Sequence, residues 1–145
     1  MLQMKDERHV WLAIRSDDMT NERISELVGL TPSKVRAQGV PTPPSRVPAK
    51  HNEWRLDSGI SKFESLEKHA NSLLEVVGGN ENSISLLSDE GHTVQFGCAI
   101  YTNDYNIMPY LSHRTVEAIA RLKADLYFDI YSLRDDDAQS DEESE

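Results

Sequence analysis

The chain has 145 residues, 38% of them hydrophobic, and a formal net charge of -10. This length fits one domain that buries a single core without metal ions or disulfide bridges. The one cysteine, Cys98, excludes an intramolecular disulfide and a cysteine-based metal cage, and it favours a reducing compartment. Because the first eight residues lack the apolar run of a signal peptide and no later run approaches the roughly 20 apolar residues that span a bilayer, the sequence predicts a soluble cytoplasmic protein without membrane contact.

Most of the negative charge lies at the C-terminus. Residues 135–145 contain seven acids and no base, whereas residues 1–134 carry 15 bases and 18 acids, a net charge of -3. A run of like charge cannot bury apolar surface, so we predict a single α+β domain over 1–134 and a disordered acidic tail over 135–145. The tail has two interpretations, a solubilising segment or a nucleic-acid-mimicking arm that approaches a basic partner.

The N-terminal third predicts a strand and then a helix. Val10, Leu12 and Ile14 alternate with polar or small residues, which is the period of a strand with two different faces. Thr20 predicts the N-cap of a helix whose apolar residues begin at Ile24. Gly29 and Pro32 predict where this helix ends.

A basic, proline-rich loop over 31–52 is the least generic segment. Five of the six prolines lie from Pro32 to Pro48. The segment from Lys34 to Arg55 contains five basic residues and one acidic residue. Prolines remove backbone donors and favour extended conformation. An unstructured loop of about 20 residues is unusual in a compact domain, which leaves two readings, a binding loop and a tolerated insertion.

The middle of the chain predicts a short strand at Trp54 and Leu56 and then a long helix. This helix is expected over Lys62–Val77, because Ser61 and Glu64 have the spacing of a capping box and leucines follow at helical intervals. Period-two alternation predicts a short strand at Ile84 and Leu86 and a longer one over Val94–Ile100.

The C-terminal third predicts one more helix and strand. Ser112 is a candidate N-cap, and alternation of Leu126, Phe128 and Ile130 with polar residues predicts the last strand. The resulting order is β-α-β-α-β-α-β. Two split βαβ units of this kind assemble most economically as a two-layer, ferredoxin-like α+β sandwich, here with an extra helix and the long proline-rich loop.

Several short motifs, in this order and spacing, resemble a known bacterial family. They are Leu27-Val28-Gly29-Leu30, Thr31-Pro32-Ser33-Lys34-Val35, Gly39, Trp54, Leu73-Leu74 and Asp129-Ile130-Tyr131. The chain is similar over most of residues 8–133 to the family of domain of unknown function 4279. The resemblance implies no catalytic or binding residues. It implies an association with bacterial polymorphic toxin systems, in which immunity proteins neutralise a cognate toxin.

The second sheet face is the predicted interaction surface. If helices cover the apolar strand residues, the opposite face displays Trp11, Arg15, Tyr101, Tyr127 and Tyr131. Trp, Tyr and Arg supply much of the energy at protein interfaces, so this face is a candidate platform for a partner. Alternatively, the proline-rich loop folds over it. Nucleic acid is disfavoured because aspartates at 125 and 129 would repel phosphates.

Side-chain chemistry has little support in the sequence. The five histidines are scattered, with no pair at the i,i+4 spacing of a helical metal site. Asp125 and Asp129 would lie about 13 Å apart along a strand, too far to share a proton. No phosphate loop or nucleophile elbow is present. The sequence therefore predicts no catalytic residue, no metal site and no cofactor.

The resulting hypothesis is a non-enzymatic binding protein, most concretely an immunity protein that occludes a bacterial toxin. Loop cations would pair with toxin carboxylates, and the aromatic residues would anchor a desolvated patch. The candidate partner-binding residues are Trp11, Arg15, Arg36, Arg46, Lys50, Trp54, Tyr101, Tyr127 and Tyr131. The alternative is a small-molecule-binding regulatory domain with a pocket lined by Trp54 and the tyrosines. The oligomeric state is left open.

Overall fold

The computed structural model describes residues 5–104 and 106–133. Nine elements follow one another within these residues: β1 (Glu7–Ser16), α1 (Asn21–Val28), β2 (Lys34–Arg36), β3 (Asn52–Asp57), α2 (Leu66–Val77), α3 (Glu81–Asp89), β4 (Thr93–Thr102), α4 (His113–Arg121) and β5 (Asp125–Ser132). The predicted α+β class is confirmed. The predicted acidic tail over 135–145 lies outside the described residues.

The strands form one mixed sheet in the order β2-β3-β1-β4-β5. The β2–β3, β3–β1 and β1–β4 pairs are antiparallel, and β4–β5 is parallel. A parallel neighbour requires a crossover, and α4 supplies it between β4 and β5. The two ten-residue strands, β1 and β4, lie next to each other at the centre of the sheet.

The core lies on one face of the sheet, where apolar residues of β1, β3 and β4 meet apolar residues of all four helices. The largest fully buried side chains include Trp54, Phe96, Leu12, Ile14, Ile24 and Leu73. Trp54 also donates a hydrogen bond from Nε1 to the Ser25 hydroxyl in α1, at 2.9 Å. We call this the core face and the other side of the sheet the open face.

The predicted ends of α1 are confirmed. The Thr20 hydroxyl accepts a hydrogen bond from the Arg23 amide at 3.1 Å. Gly29 adopts φ +72°, the left-handed conformation that a residue without Cβ reaches easily, and its amide donates to the Ser25 carbonyl. Ser112 likewise caps α4, as predicted.

Two predictions in the middle of the chain need correction, the start of the long helix, whose end at Val77 is confirmed, and the type of the element that follows it. The long helix begins at Leu66 rather than 62, because Ser65 is its N-cap, whereas Ser61 belongs to a turn closed by the Glu64 amide. The segment around Ile84 is helix α3 and not a strand. Ile84 and Leu87, three apart, are both buried there, so the period is helical.

The proline-rich loop is shorter and more ordered than predicted. Residues 34–36 form the edge strand β2, since no proline lies between Ser33 and Val40 to remove a ladder donor. The following excursion is closed by two isolated bridges, Gln38 with Ala49 and Pro41 with Pro48. The peptide bond between Pro43 and Pro44 is cis.

The apolar side of β5 is not covered as expected. The side chains of Leu126, Phe128 and Ile130 lie on the core face, beside Phe96, Cys98 and Ile100 of β4, yet they are 38%, 39% and 47% exposed. Helix α4 packs against α2 instead, where Glu67 accepts hydrogen bonds from the Ser112 amide and the Thr115 hydroxyl. The sheet edge at β5 therefore presents a narrow apolar strip.

Candidate functional site

The open face carries the side chains that alternate with the core residues. Cross-strand register aligns Trp11 of β1 with Gly97 of β4 and Tyr127 of β5, and the row at one end aligns Tyr101 with Tyr131. On the β3 side, Arg55 lies opposite Ala13. The buried cluster on this face consists of strand residues alone among the described residues.

Trp11 lies flat over Gly97. A Cβ at Gly97 would lie 2.5 Å from Cε2 of the Trp11 ring, so only glycine leaves room for this position. The Arg55 guanidinium lies over the indole ring, 4.1 Å from the ring centroid, and Tyr127 meets the indole edge-on at 6.1 Å. Trp11 is only 8% exposed, although no helix among the described residues packs on this face.

A second aromatic group lies beside Trp11. The rings of Tyr101 and Tyr131 stack with centroids 4.7 Å apart, and His9 meets Tyr101 edge-on at 5.8 Å. The Tyr131 hydroxyl donates to the Asp129 carboxylate, which raises the pKa of the phenol. Together with Trp11 and Arg55 these side chains line a cleft of about 380 Å³, which we call the aromatic cleft.

A polar cavity lies where the proline-rich loop meets the open face. Its volume is about 260 Å³, and we call it the loop cavity. It is lined by Arg15, Arg36, Ser45, Val47, Pro48, Ala49, Lys50, His51 and Glu53. Arg15 Nε lies 3.4 Å from Glu53 Oε1, an ion pair between neighbouring strands.

The structure brings eight of the nine predicted partner-binding residues to the open face or the adjoining loop. Trp11, Tyr101 and Tyr131 line the aromatic cleft, with Tyr127 packed against Trp11. Three cations meet around the loop cavity, and they are Arg15, Arg36 and Lys50. Arg46 is exposed on the loop and does not line that cavity.

Trp54 is the exception. It has no exposed surface and lies on the core face, so it cannot contact a partner. The expected pocket between Trp54 and the tyrosines is therefore wrong. Strand alternation explains this outcome, since Trp54 pairs with Ile14 of the core face, whereas Tyr101 pairs with Glu7 on the open face.

A family model matches nearly the whole described domain. The match covers residues 6–133, and its description is Domain of unknown function (DUF4279). The chain belongs to this family. Comparison with curated proteins found no match, and comparison with solved structures found none either.

Sequence reasoning missed two residues that shape the site of this DUF4279 domain, Arg55 and Gly97. Both were visible as members of alternating strands. Their role depends on how the strands pair. Gly97 shapes the site because it pairs with Trp11, and Arg55 does so because its strand, β3, pairs with the strand that carries Trp11. A glycine within a strand often indicates that another group approaches the backbone closely, and this was the feature of the sequence that pointed to Gly97.

Two histidine–aspartate pairs lie next to the loop cavity. His51 Nδ1 is 2.5 Å from Asp17 Oδ1, and His92 Nδ1 is 3.9 Å from Asp18 Oδ1, around a cavity of about 240 Å³ that shares Arg15 and His51 with the loop cavity. Among residues 5–104 and 106–133, no three His, Cys, Asp or Glu side chains are grouped to hold a metal ion. Burial raises the pKa of the Cys98 thiol to about 12, so this thiol is not a ready nucleophile.

The described helices are also too short or too polar to cross a lipid bilayer.

Proposed function

We propose that this DUF4279 domain is a non-enzymatic binding protein that holds a protein partner against its open face, most concretely an immunity protein of the bacterial cytoplasm that neutralises a cognate toxin by occlusion. One observation carries the proposal. Across the central strands, the open face presents stacked Trp, Tyr and Arg side chains, and among the described residues no helix packs on it.

The composition of the face supports a protein partner. Trp, Tyr and Arg are enriched among the residues that dominate binding energy. Asp125 and Asp129 on the same face disfavour nucleic acid, because carboxylates repel phosphates. Occlusion also requires no chemistry from this chain, since a surface that fits over another protein's active site is sufficient.

The rigidity of the face supports the proposal as well. Ordering each flexible side chain at an interface costs about 0.5–1.5 kcal/mol. Here the rings of Tyr101 and Tyr131 are already stacked, and Trp11 is already packed against Gly97 and Arg55. A partner that docks on them meets side chains whose rotamers are set.

The open face alone is smaller than a standard interface, and the face and the loop together reach that size. Five strands spaced about 4.8 Å apart span about 19 Å, and eight residues along a strand span about 26 Å, or roughly 500 Å². A standard interface buries about 800 Å² on each partner. The adjoining proline-rich loop would supply the remaining area.

The experiment is a tagged pull-down from the native host that includes the product of the adjacent upstream gene, with native mass spectrometry of the eluate. We expect a stoichiometric protein complex in which the partner's toxicity is lost. Tyr131→Ala should weaken it at least tenfold, and the matched Tyr110→Ala, an exposed tyrosine on the core-face side, should not. Recovery of the bare chain, or equal effects of the two variants, would overturn the proposal.

A small-molecule-binding regulatory domain is the second candidate. The observation in its favour is the loop cavity, which lies between the loop and the sheet and has several polar groups on its wall. The same native spectra separate the two candidates, because a bound metabolite adds a small fixed mass to the chain.

We also propose that β1 to β4 are best classed as ferredoxin-like. Strands β1 and β2 run parallel with β3 between them, and β3 and β4 run parallel with β1 between them. Two interleaved βαβ units have this arrangement, with α3, α4 and β5 as additions. An experimental structure with a different strand order would contradict this assignment.

A further inference from the structure

We propose that the loop cavity is an oxyanion pocket that receives a carboxylate of the bound partner, with Arg36 and Lys50 as its principal ligands. The source of the carboxylate rests on the proposed function. The pocket itself rests on charge, burial and the shape of the loop.

The cavity wall has an excess of positive charge. It contains three permanent cations, Arg15, Arg36 and Lys50, against one carboxylate, Glu53. Glu53 is engaged by Arg15 at 3.4 Å. The other two cations have no ion-pair partner within 4.0 Å among the residues that the structure describes.

His51 does not supply a further free cation. Its Nδ1 lies 2.5 Å from Asp17 Oδ1, so any positive charge on this ring is already paired. The net surplus in the wall is therefore two charges, which belong to Arg36 and Lys50. This surplus suits a single oxyanion that lies between them.

Arg36 is the more constrained of the two ligands. It lies in β2 with its side chain half-buried, and its Nε is fully buried without a hydrogen-bond acceptor in the described part of the chain. A guanidinium whose Nε has lost water and gained no acceptor is destabilised, and a carboxylate that binds the accessible part of the same guanidinium offsets this cost with charge-assisted hydrogen bonds. Lys50 is exposed at the rim of the cavity, where its ammonium group attracts an anion while it remains in contact with solvent.

The proline-rich loop, which forms the other wall of the cavity, is held in place by its own hydrogen bonds in the absence of a ligand. The Gly39 amide donates to the Ala49 carbonyl at 2.8 Å, and the Ala49 amide returns a bond to Val40 at 3.2 Å. The Gln38 amide donates to the Asn52 side chain at 2.8 Å, which ties the loop to β3. Prolines at 41, 43, 44 and 48 restrict the backbone between these ties. Binding therefore costs little loop entropy.

The size of the cavity selects the ligand class. A volume of about 260 Å³ accommodates a carboxylate with its attached methylenes, or one phosphate, and is below the range of roughly 300–1,000 Å³ that holds drug-sized molecules. The shared chemistry is an oxyanion. A partner carboxylate is favoured because the loop cavity and the aromatic cleft lie on the same open face, where one partner can contact both.

The test is an NMR titration of the full chain with sodium acetate, which mimics an Asp or Glu side chain, and with inorganic phosphate, each at constant ionic strength. The readouts are the Arg36 Nε–H resonance and the backbone amides of residues 45–47 and 49–51. The variants are Arg36→Gln and Lys50→Gln. The matched control is Lys34→Gln, since Lys34 precedes Arg36 by two residues on the same strand face but does not line the cavity.

We expect both anions to give saturable, mutually competing shifts in the wild type and in the Lys34 variant, with binding about tenfold weaker in each cavity variant. Equal weakening by Lys34→Gln, or no saturable shift in the wild type, would overturn the pocket. A response to phosphate but not to acetate would overturn the carboxylate source.

The partner complex provides a second readout that separates the two proposals. We expect Lys50→Gln, at an exposed position that does not endanger folding, to weaken the complex more than Lys34→Gln does. A stable complex that is equally insensitive to both substitutions would overturn the pocket and leave the proposed function intact.

Discussion

The two tryptophans occupy opposite faces of the same sheet and are buried in different ways. Trp54 is covered by helices, has no exposed surface and donates a hydrogen bond to Ser25. Trp11 is 8% exposed without any described helix above it, because the backbone at Gly97 and the planar side chains of Arg55 and Tyr127 enclose its ring. Burial on the core face maintains the fold, whereas burial on the open face organises a surface.

The largest expected effect is the loss of the core tryptophan. Trp54→Ala removes a fully buried side chain and leaves a cavity sealed by α1, so we expect a loss of about 3–5 kcal/mol in the free energy of unfolding. Trp11→Ala should cost about 2 kcal/mol, because water can fill the space on an open face and no sealed cavity remains. Urea unfolding measures both. Equal losses would remove the distinction between the faces.

A smaller effect is expected where the open face depends on one missing side chain. In Gly97→Ala the new Cβ would meet the Trp11 ring at about 2.5 Å, so the ring must move. We expect a loss of about 1–3 kcal/mol. The control is the same substitution in a Trp11→Ala background, where most of this loss should disappear. A loss that persists there would mean that the strand backbone, and not the indole, requires glycine.

The two faces also differ in how well the sequence predicts them. Alternation in β1, β4 and β5 assigned each side chain to the correct side, because strand period is a local property. What covers each side is a tertiary property. No local pattern reports that Gly97 lies under Trp11, or that α4 packs on α2 and leaves Phe128 partly exposed.

The errors in element type have a related cause. Ile84 and Leu86 fit a strand over three residues, and only the next buried position, Leu87, distinguishes a helix. Strand β2 was not predicted at all, since Lys34-Val35-Arg36 has the composition of the loop around it and becomes a strand by pairing with β3. The loop cavity was likewise unpredictable in detail, because Arg15 and Arg36 come from different strands.

The core face should also be sensitive to pH. His69 is buried in α2 with its Nδ1 2.7 Å from the Ser58 hydroxyl, and burial lowers its pKa below the ordinary 6.5. The unfolded chain therefore binds more protons between the lowered pKa and 6.5, so stability falls as the pH drops below 6.5. The slope of this contribution is at most about 1.4 kcal/mol per pH unit.

Urea unfolding between pH 7.5 and 5 measures this slope. His69→Gln should remove this contribution, whereas the partly exposed His9→Gln, on the open face, should leave it in place. A slope that survives the His69 substitution would assign the sensitivity to another group.

The smallest expected effect concerns the apolar strip on β5. Strand pairing places these side chains on the core face, but they are partly exposed to solvent. Phe128 is 39% exposed, and its neighbours Leu126 and Ile130 are exposed to a similar extent. Phe128→Ser should therefore lower the free energy of unfolding by less than about 1 kcal/mol, far below the loss at Trp54. The matched comparison is Phe96→Ser, one strand away and fully buried, which we expect to cost several kcal/mol, no more than the loss at Trp54. A loss of several kcal/mol at Phe128 would mean that this strip is covered in solution, and the core face would then extend to the sheet edge.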